Sequence, residues 1–113
     1  MKTTYGTMYY VSDMKQSVEF FKTNLALKPS YQSEDWTEFA VGEHRLCLHI
    51  KRSGEKASEN GILIFSHDGI KNLFEKMKND QLNVFGLHEI HPGAWTFHVK
   101  DANQNEFSFH GSP

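Results

Sequence analysis

Seven histidines, one cysteine and two tryptophans in 113 residues raise the first chemical question. Imidazoles ligate transition metals and move protons near neutral pH, and an imidazole beside a thiol is the raw material of a nucleophile. Cys47 and His49 stand two residues apart. On a strand that spacing puts both side chains on one face, with backbones some 6 to 7 Å apart. A carboxylate across from the thiol, at Glu38, would raise its pKa instead of lowering it. Cys47 therefore reads as a small buried hydrophobe, and Glu38 as a candidate carboxylate base or the partner of a ligand amine. A lone cysteine also excludes an intrachain disulfide and a thiolate zinc cluster, and fits a reducing compartment.

The histidines sort by their neighbours. His44 sits beside a turn, His67 at a helix start, and His88 and His91 in a stretch rich in turn residues, so all four read as surface groups. The His-x-x-His spacing of His88 and His91 has no regular helix to put both rings on one face, and no metal site is expected there. His98 alternates with Phe97 and Val99 with the parity of a helix-facing, structural residue. His49 and His110 differ, because each closes a hairpin that a tryptophan opens: Trp36 lies 13 residues before His49, and Trp95 lies 15 before His110.

These pairs need elements to hold them. Residues 5–11 are aromatic and β-branched and run into Ser12-Asp13, a capping pair, so a strand hands over to a helix near residues 13–24. Met14, Val18, Phe21 and Leu25 recur there at helical spacing, with Phe20 widening the stripe. Residues 27–32, 36–41 and 45–50 read as strands, with Gly42-Glu43 as a tight turn. Residues 51–60 are polar, without period, and read as a linker. The pattern then restarts: a strand at 61–65, a capping run ending in Asp68, a helix stripe of Ile70, Leu73, Phe74 and Met77, and strands at 82–87, 95–100 and 106–110. Asp13 and Asp68 lie 55 apart, as do Gly6 and Gly61, so the chain is expected to be a duplicated βαβββ module, with halves at about 1–50 and 61–113 in a single domain.

Composition narrows the partners. Twelve basic against fourteen acidic side chains give a net charge of -2, which leaves no cationic field for nucleic acid or an anionic membrane. The longest apolar run, residues 61–65, is far short of a bilayer span, and the N-terminal residues lack the zones of a signal peptide. The expected setting is the cytoplasm.

The βαβββ pair resembles the vicinal oxygen chelate superfamily, which includes glyoxalase I, bleomycin-resistance proteins and extradiol dioxygenases. The segment from Val11 through Ser12, Asp13, Met14 and Ser17 to Phe20-Phe21 carries the likeness, with the closing run Lys100-Asp101-Ala102-Asn103-Gln104-Asn105-Glu106-Phe107. The resemblance implies an α+β fold whose two modules curve a mixed sheet around a shared cleft, helices outside, and it implies a homodimer. Its metal-binding positions fall on Gly6, Cys47, Gly61 and Ser108. Glycine donates nothing and serine little, so no metal and no cofactor are expected.

Strand parity then fills the cup. Leu46, Leu48 and Ile50 face the helix, so Cys47 and His49 face away. A two-residue turn at Gly42-Glu43 sets Trp36 opposite His49 and Glu38 opposite Cys47. A four-residue loop in the second module would set Trp95 opposite His110 and Phe97 opposite Ser108. Met8 and Tyr10 join from the first strand. The expected ligand-binding set is thus Met8, Tyr10, Trp36, Glu38, Cys47, His49, Trp95, Phe97, Ser108 and His110, an aromatic-walled cleft for a flat apolar or aromatic molecule. A competing account makes both tryptophans sheet-packing residues. As function, the resemblance implies a metal-independent small-molecule binder of the bleomycin-resistance type. The alternative is a glyoxalase-like lyase or isomerase, or a dioxygenase-like enzyme, with substituted metal ligands such as His49 and His110.

Overall fold

The capping pair does what its chemistry requires. In the computed structural model, which describes residues 3–113, the Asp13 carboxylate accepts from the Gln16 backbone N–H at 3.0 Å, and the first strand passes straight into a helix. The chain divides into two units, Gly6–Gly61 and residues 3–5 with Ile62–Pro113.

The first unit contains β1 (Thr3–Val11, its first three residues grouped with the second unit), α1 (Met14–Leu25), β2 (Pro29–Gln32), β3 (Trp36–Val41) and β4 (His44–Ile50). Its strands lie in the order β2-β3-β4-β1, with β1 parallel to β4 and the other neighbours antiparallel. Met14 and Val18 of α1 pack on Phe39 and Leu48, with Tyr9, Val11 and Leu46 beside them, so the helix covers the face expected of it. Each such side chain removed from water contributes about 1.5–3 kcal/mol. The 51–60 segment is not strand, yet it is tied down: the Tyr10 N–H donates to the Ser58 hydroxyl at 2.8 Å, and the Ser58 N–H donates back to the Tyr10 carbonyl.

The second unit repeats the plan with β5 (Ile62–Ser66), α2 (Ile70–Asn79), β6 (Asn83–His91), β7 (Ala94–Lys100) and β8 (Glu106–Gly111), ordered β5-β8-β7-β6. Its core is Ile70, Phe97, Val99 and Phe109, joined by Leu73, Phe74, Trp95 and Phe107. Both units are mixed α+β layers, as the repeat predicts. Two details differ. Asp68 does not cap α2: the residue before the helix is Gly69, in the left-handed region at φ 80°, and the Asp68 carboxylate instead accepts the Ser112 hydroxyl at 3.4 Å. β6 also runs on through His88 and His91, because Pro92-Gly93, with Gly93 at φ 81°, suffices to turn the chain into β7. No helix among the described residues is long and apolar enough to cross a membrane.

Candidate functional site

In the first unit the expected cluster assembles. Two-residue turn geometry at Gly42-Glu43 fixes Trp36 opposite His49 and Glu38 opposite Cys47. Parallel pairing adds Met8 beside Cys47 and Tyr10 beside His49. Because the alternate residues of these strands pack on α1, all six side chains lie on the helix-free face. They are buried there, Trp36 at 1% exposure and Glu38 at 4%.

The contacts within this group are aromatic and polar in turn. The His49 ring meets Trp36 edge-on at 5.5 Å between centroids and leans against Tyr10 at 5.2 Å. Its Nδ1 lies 2.7 Å from the Ile50 carbonyl, which can only accept, so Nδ1 carries the hydrogen. The Tyr10 hydroxyl accepts from the Arg52 guanidinium at 2.8 Å. The Cys47 thiol points at the Glu38 carboxylate, 3.8 Å from sulfur to oxygen. Burial first, then the Glu38 charge and hydrogen bond, push the thiol pKa far above its ordinary value, against a small opposing pull from Arg45. That shift disfavours the thiolate a nucleophile needs. One polar atom stands out: the indole N–H of Trp36 is buried and has no hydrogen-bond partner among the described residues.

The second unit departs from expectation by one residue. Trp95 pairs with Gly111, Thr96 with His110, Phe97 with Phe109 and His98 with Ser108. The loop is of five residues, 101–105, not four: the Asp101 carboxylate accepts from the backbone N–H groups of Asn103 and Asn105 at 2.8 and 2.9 Å, and Gln104 takes a left-handed φ of 68° to close it. A one-residue slip moves every side chain to the other face. Trp95 and Phe97 therefore belong to the α2 side, Phe97 stacked on Phe109 at 5.2 Å and Trp95 under the Lys71 ammonium at 4.1 Å. Neither joins Ser108 and His110.

What replaces them is a histidine surface. His98, expected on the helix side, lies on the helix-free face at 1% exposure, with its Nδ1 2.7 Å from the Ser108 hydroxyl. His88 and His91, expected on a surface loop, come up beside it from β6: the His88 ring is 6.3 Å from His98, and His91 is 6.0 Å from His110. Tyr5 stacks on His110 at 3.7 Å. Four of the seven histidines so line one sheet face of the second unit. The pairing of Lys100 with Glu106 across the five-residue loop sets the parity of the whole hairpin. Three surface depressions, of about 520, 560 and 760 Å³, lie instead beside the helices, around Gln16 and Ser58, around Asn72 and Met77, and around Lys15 and Gln32.

No protein-family model and no curated protein matches the sequence. Solved structures do match in fold. Streptomyces coelicolor methylmalonyl-CoA epimerase superposes with a TM-score of 0.70 at 11% identity, over 99% of each chain. A glyoxalase/bleomycin resistance protein/dioxygenase superfamily member from Vibrio splendidus gives 0.60 at 14%, over 97% of this chain and 98% of that one. The chain has the vicinal oxygen chelate fold. A Legionella pneumophila protein described as an NAD-dependent benzaldehyde dehydrogenase shares it, with a TM-score of 0.64 at 17% identity over 95% of this chain and 97% of that one. Identities this low carry the fold alone.

The vicinal oxygen chelate positions for a metal do not fit one here. A Cβ at Gly6 would run into the Arg45 backbone carbonyl, so that position accepts no ligating side chain without backbone movement, and one at Gly61 would lie 2.6 Å from the Thr7 methyl, which would have to shift. Ser108 is engaged with His98, and the Cys47 thiol, directed at Glu38, is the one strong ligand group among the four.

Proposed function

We propose that the helix-free face of Gly6–Gly61 binds a flat apolar or aromatic small molecule bearing an oxygen acceptor, without a metal at the four superfamily positions. The observation that supports this most is the buried, unpartnered indole N–H of Trp36. An unmatched buried donor costs about 1–3 kcal/mol, and such groups concentrate where function requires them. A ligand carbonyl or phenolate oxygen would recover that energy. Met8, Tyr10 and the His49 ring supply the flat and polarizable surroundings. Because these groups are buried, a ligand enters only when the face opens, and association runs below about 10⁵ M⁻¹s⁻¹.

A thermal-shift screen of planar aromatic ketones and phenols tests the reading, since a ligand at 100 times its Kd raises stability by about 2.7 kcal/mol. Hits whose affinity is unchanged in Trp36→Phe would overturn it. A second reading, proton transfer, draws on Glu38, a carboxylate at 4% exposure facing the same side. Its test is solvent-deuterium exchange into a bound hit, lost in Glu38→Gln. The organisation as one domain, assembly as a homodimer and a cytoplasmic location are proposals of the same standing. The strands β2 and β6, outermost in their units, are the edges a second copy would cover. Sedimentation showing monomer alone at micromolar concentration counts against the dimer.

A further inference from the structure

We infer that Asn60 is a site of spontaneous covalent modification, where the folded chain converts a side-chain amide into aspartate and isoaspartate. The inference stands on the 51–60 segment and does not rest on the ligand-binding reading above. Seven asparagines occur in the chain, and Asn60 alone precedes a glycine. That neighbour matters because the attacking group is the backbone nitrogen of the next residue, and a side chain there obstructs its approach. The fold sets Asn60 apart as well. The nitrogens that follow Asn72, Asn79, Asn83 and Asn103 each donate to a backbone carbonyl. The amides of Asn24 and Asn105 are themselves held, by the Phe20 carbonyl and the Asp101 carboxylate. Asn60 and Gly61 are both exposed and lie outside every helix and strand, and the Asn60 amide makes no hydrogen bond among the described residues.

The chemistry balances without a cofactor. The Gly61 nitrogen, its proton taken by hydroxide, attacks Cγ of Asn60 and closes a cyclic imide as ammonia leaves. Water then opens the ring at one of its two carbonyls. Attack at Cγ gives an ordinary aspartate. Attack at the main-chain carbonyl leaves that carboxylate free, and the chain then runs on through the former side chain as isoaspartate. Nothing is oxidised or reduced: one asparagine and one water become one acid and one ammonia.

Anchors on both sides of Asn60 make the second product consequential. Two residues before it, the Ser58 hydroxyl accepts from the Tyr10 N–H at 2.8 Å, and the Ser58 N–H donates to the Tyr10 carbonyl at 2.9 Å. One residue after it, Gly61 packs so closely that a Cβ there would sit 2.6 Å from the Thr7 methyl. An isoaspartyl linkage puts one more backbone atom between these anchors, and a carboxylate beside Glu59 where a neutral amide stood. The added length is absorbed by loosening the Ser58 clasp on β1.

The test incubates the full chain at pH 8, folded in buffer and unfolded in guanidinium chloride, and follows it over days by peptide mass mapping with enzymatic methylation of isoaspartate. Asn60 is expected to convert in the folded chain within about tenfold of its unfolded rate, ahead of the other six asparagines and with isoaspartate among the products. Asn60→Gln should abolish the conversion, and Gly61→Ala should slow it at least about tenfold even in the unfolded chain, where the Thr7 contact plays no part. In the isoaspartyl form, separated by anion exchange, hydrogen exchange at the Tyr10 and Ser58 amides should rise at least about tenfold. Asn60→Asp, which carries the charge without the extra backbone atom, should not show that rise. A folded chain converting more than about tenfold slower than the unfolded one, modification first at another asparagine, or unchanged exchange at Tyr10 and Ser58 in the isoaspartyl form would each overturn the inference.

Discussion

Replacing Trp36 by phenylalanine should leave the protein as stable as before or make it more so, although the ring is buried at 1% exposure. The smaller ring buries on the order of 40 Å² less apolar surface, a loss of about 1 kcal/mol. The edge-on contact with His49, at 5.5 Å and 77°, survives with a phenyl ring. Against the loss stands removal of the unpartnered N–H, a gain of about 1–3 kcal/mol. The net effect is between about 0 and 2 kcal/mol of added stability, or up to about 8 °C in Tm at about 4 °C per kcal/mol. Trp36→Ala, which removes the ring itself, should cost about 3–5 kcal/mol. Urea denaturation of wild type and both variants, with m-values compared, separates these effects. A Trp36→Phe variant destabilised by more than about 2 kcal/mol would refute the reasoning, because the N–H must then already be satisfied in the folded protein.

The register of the second unit predicts that Phe97→Ala, which empties the centre of the α2 core, costs about 3–5 kcal/mol, whereas Trp95→Ala, half-buried beneath Lys71, costs clearly less; equal losses in urea denaturation would contradict the assigned faces. Cys47, buried and with its pKa driven up by burial and Glu38, should react with a thiol reagent at pH 8 only as fast as the protein unfolds, and rapid labelling of the native state would disprove that placement. The Asp101 carboxylate is held below its ordinary pKa by the backbone and side-chain hydrogen bonds of Asn105. Its lowered folded-state value means that its contribution is complete above the ordinary carboxylate pKa of about 4 and is lost as pH falls below that towards the lower folded-state pKa. Protection of the Asn103 and Asn105 amides, measured against their intrinsic exchange rates at each pH, should therefore fall only in acid, and Asp101→Asn should remove that change in protection.

Local chemistry along the chain was enough to determine the two modules. Aromatic and β-branched runs, the Asp13 cap and the stripe Met14, Val18 and Phe21 each act over a few residues, and none depends on a distant partner. The first hairpin was equally legible, since two residues between Val41 and His44 leave one register, and that register sets Trp36 on His49 and Glu38 on Cys47. The second hairpin was not. Whether its loop spans four residues or five depends on where the Asp101 carboxylate finds its donors, and that choice sends Trp95 and Phe97 to the helix and His98 away from it. The irregularity at Gly86 likewise has no signature but a glycine, yet it sets His88 beside His98. Periodicity fixes which residues alternate, but only long-range hydrogen bonding fixes which of the two alternating sets faces the core, and the chemistry of the second unit depends on that sign.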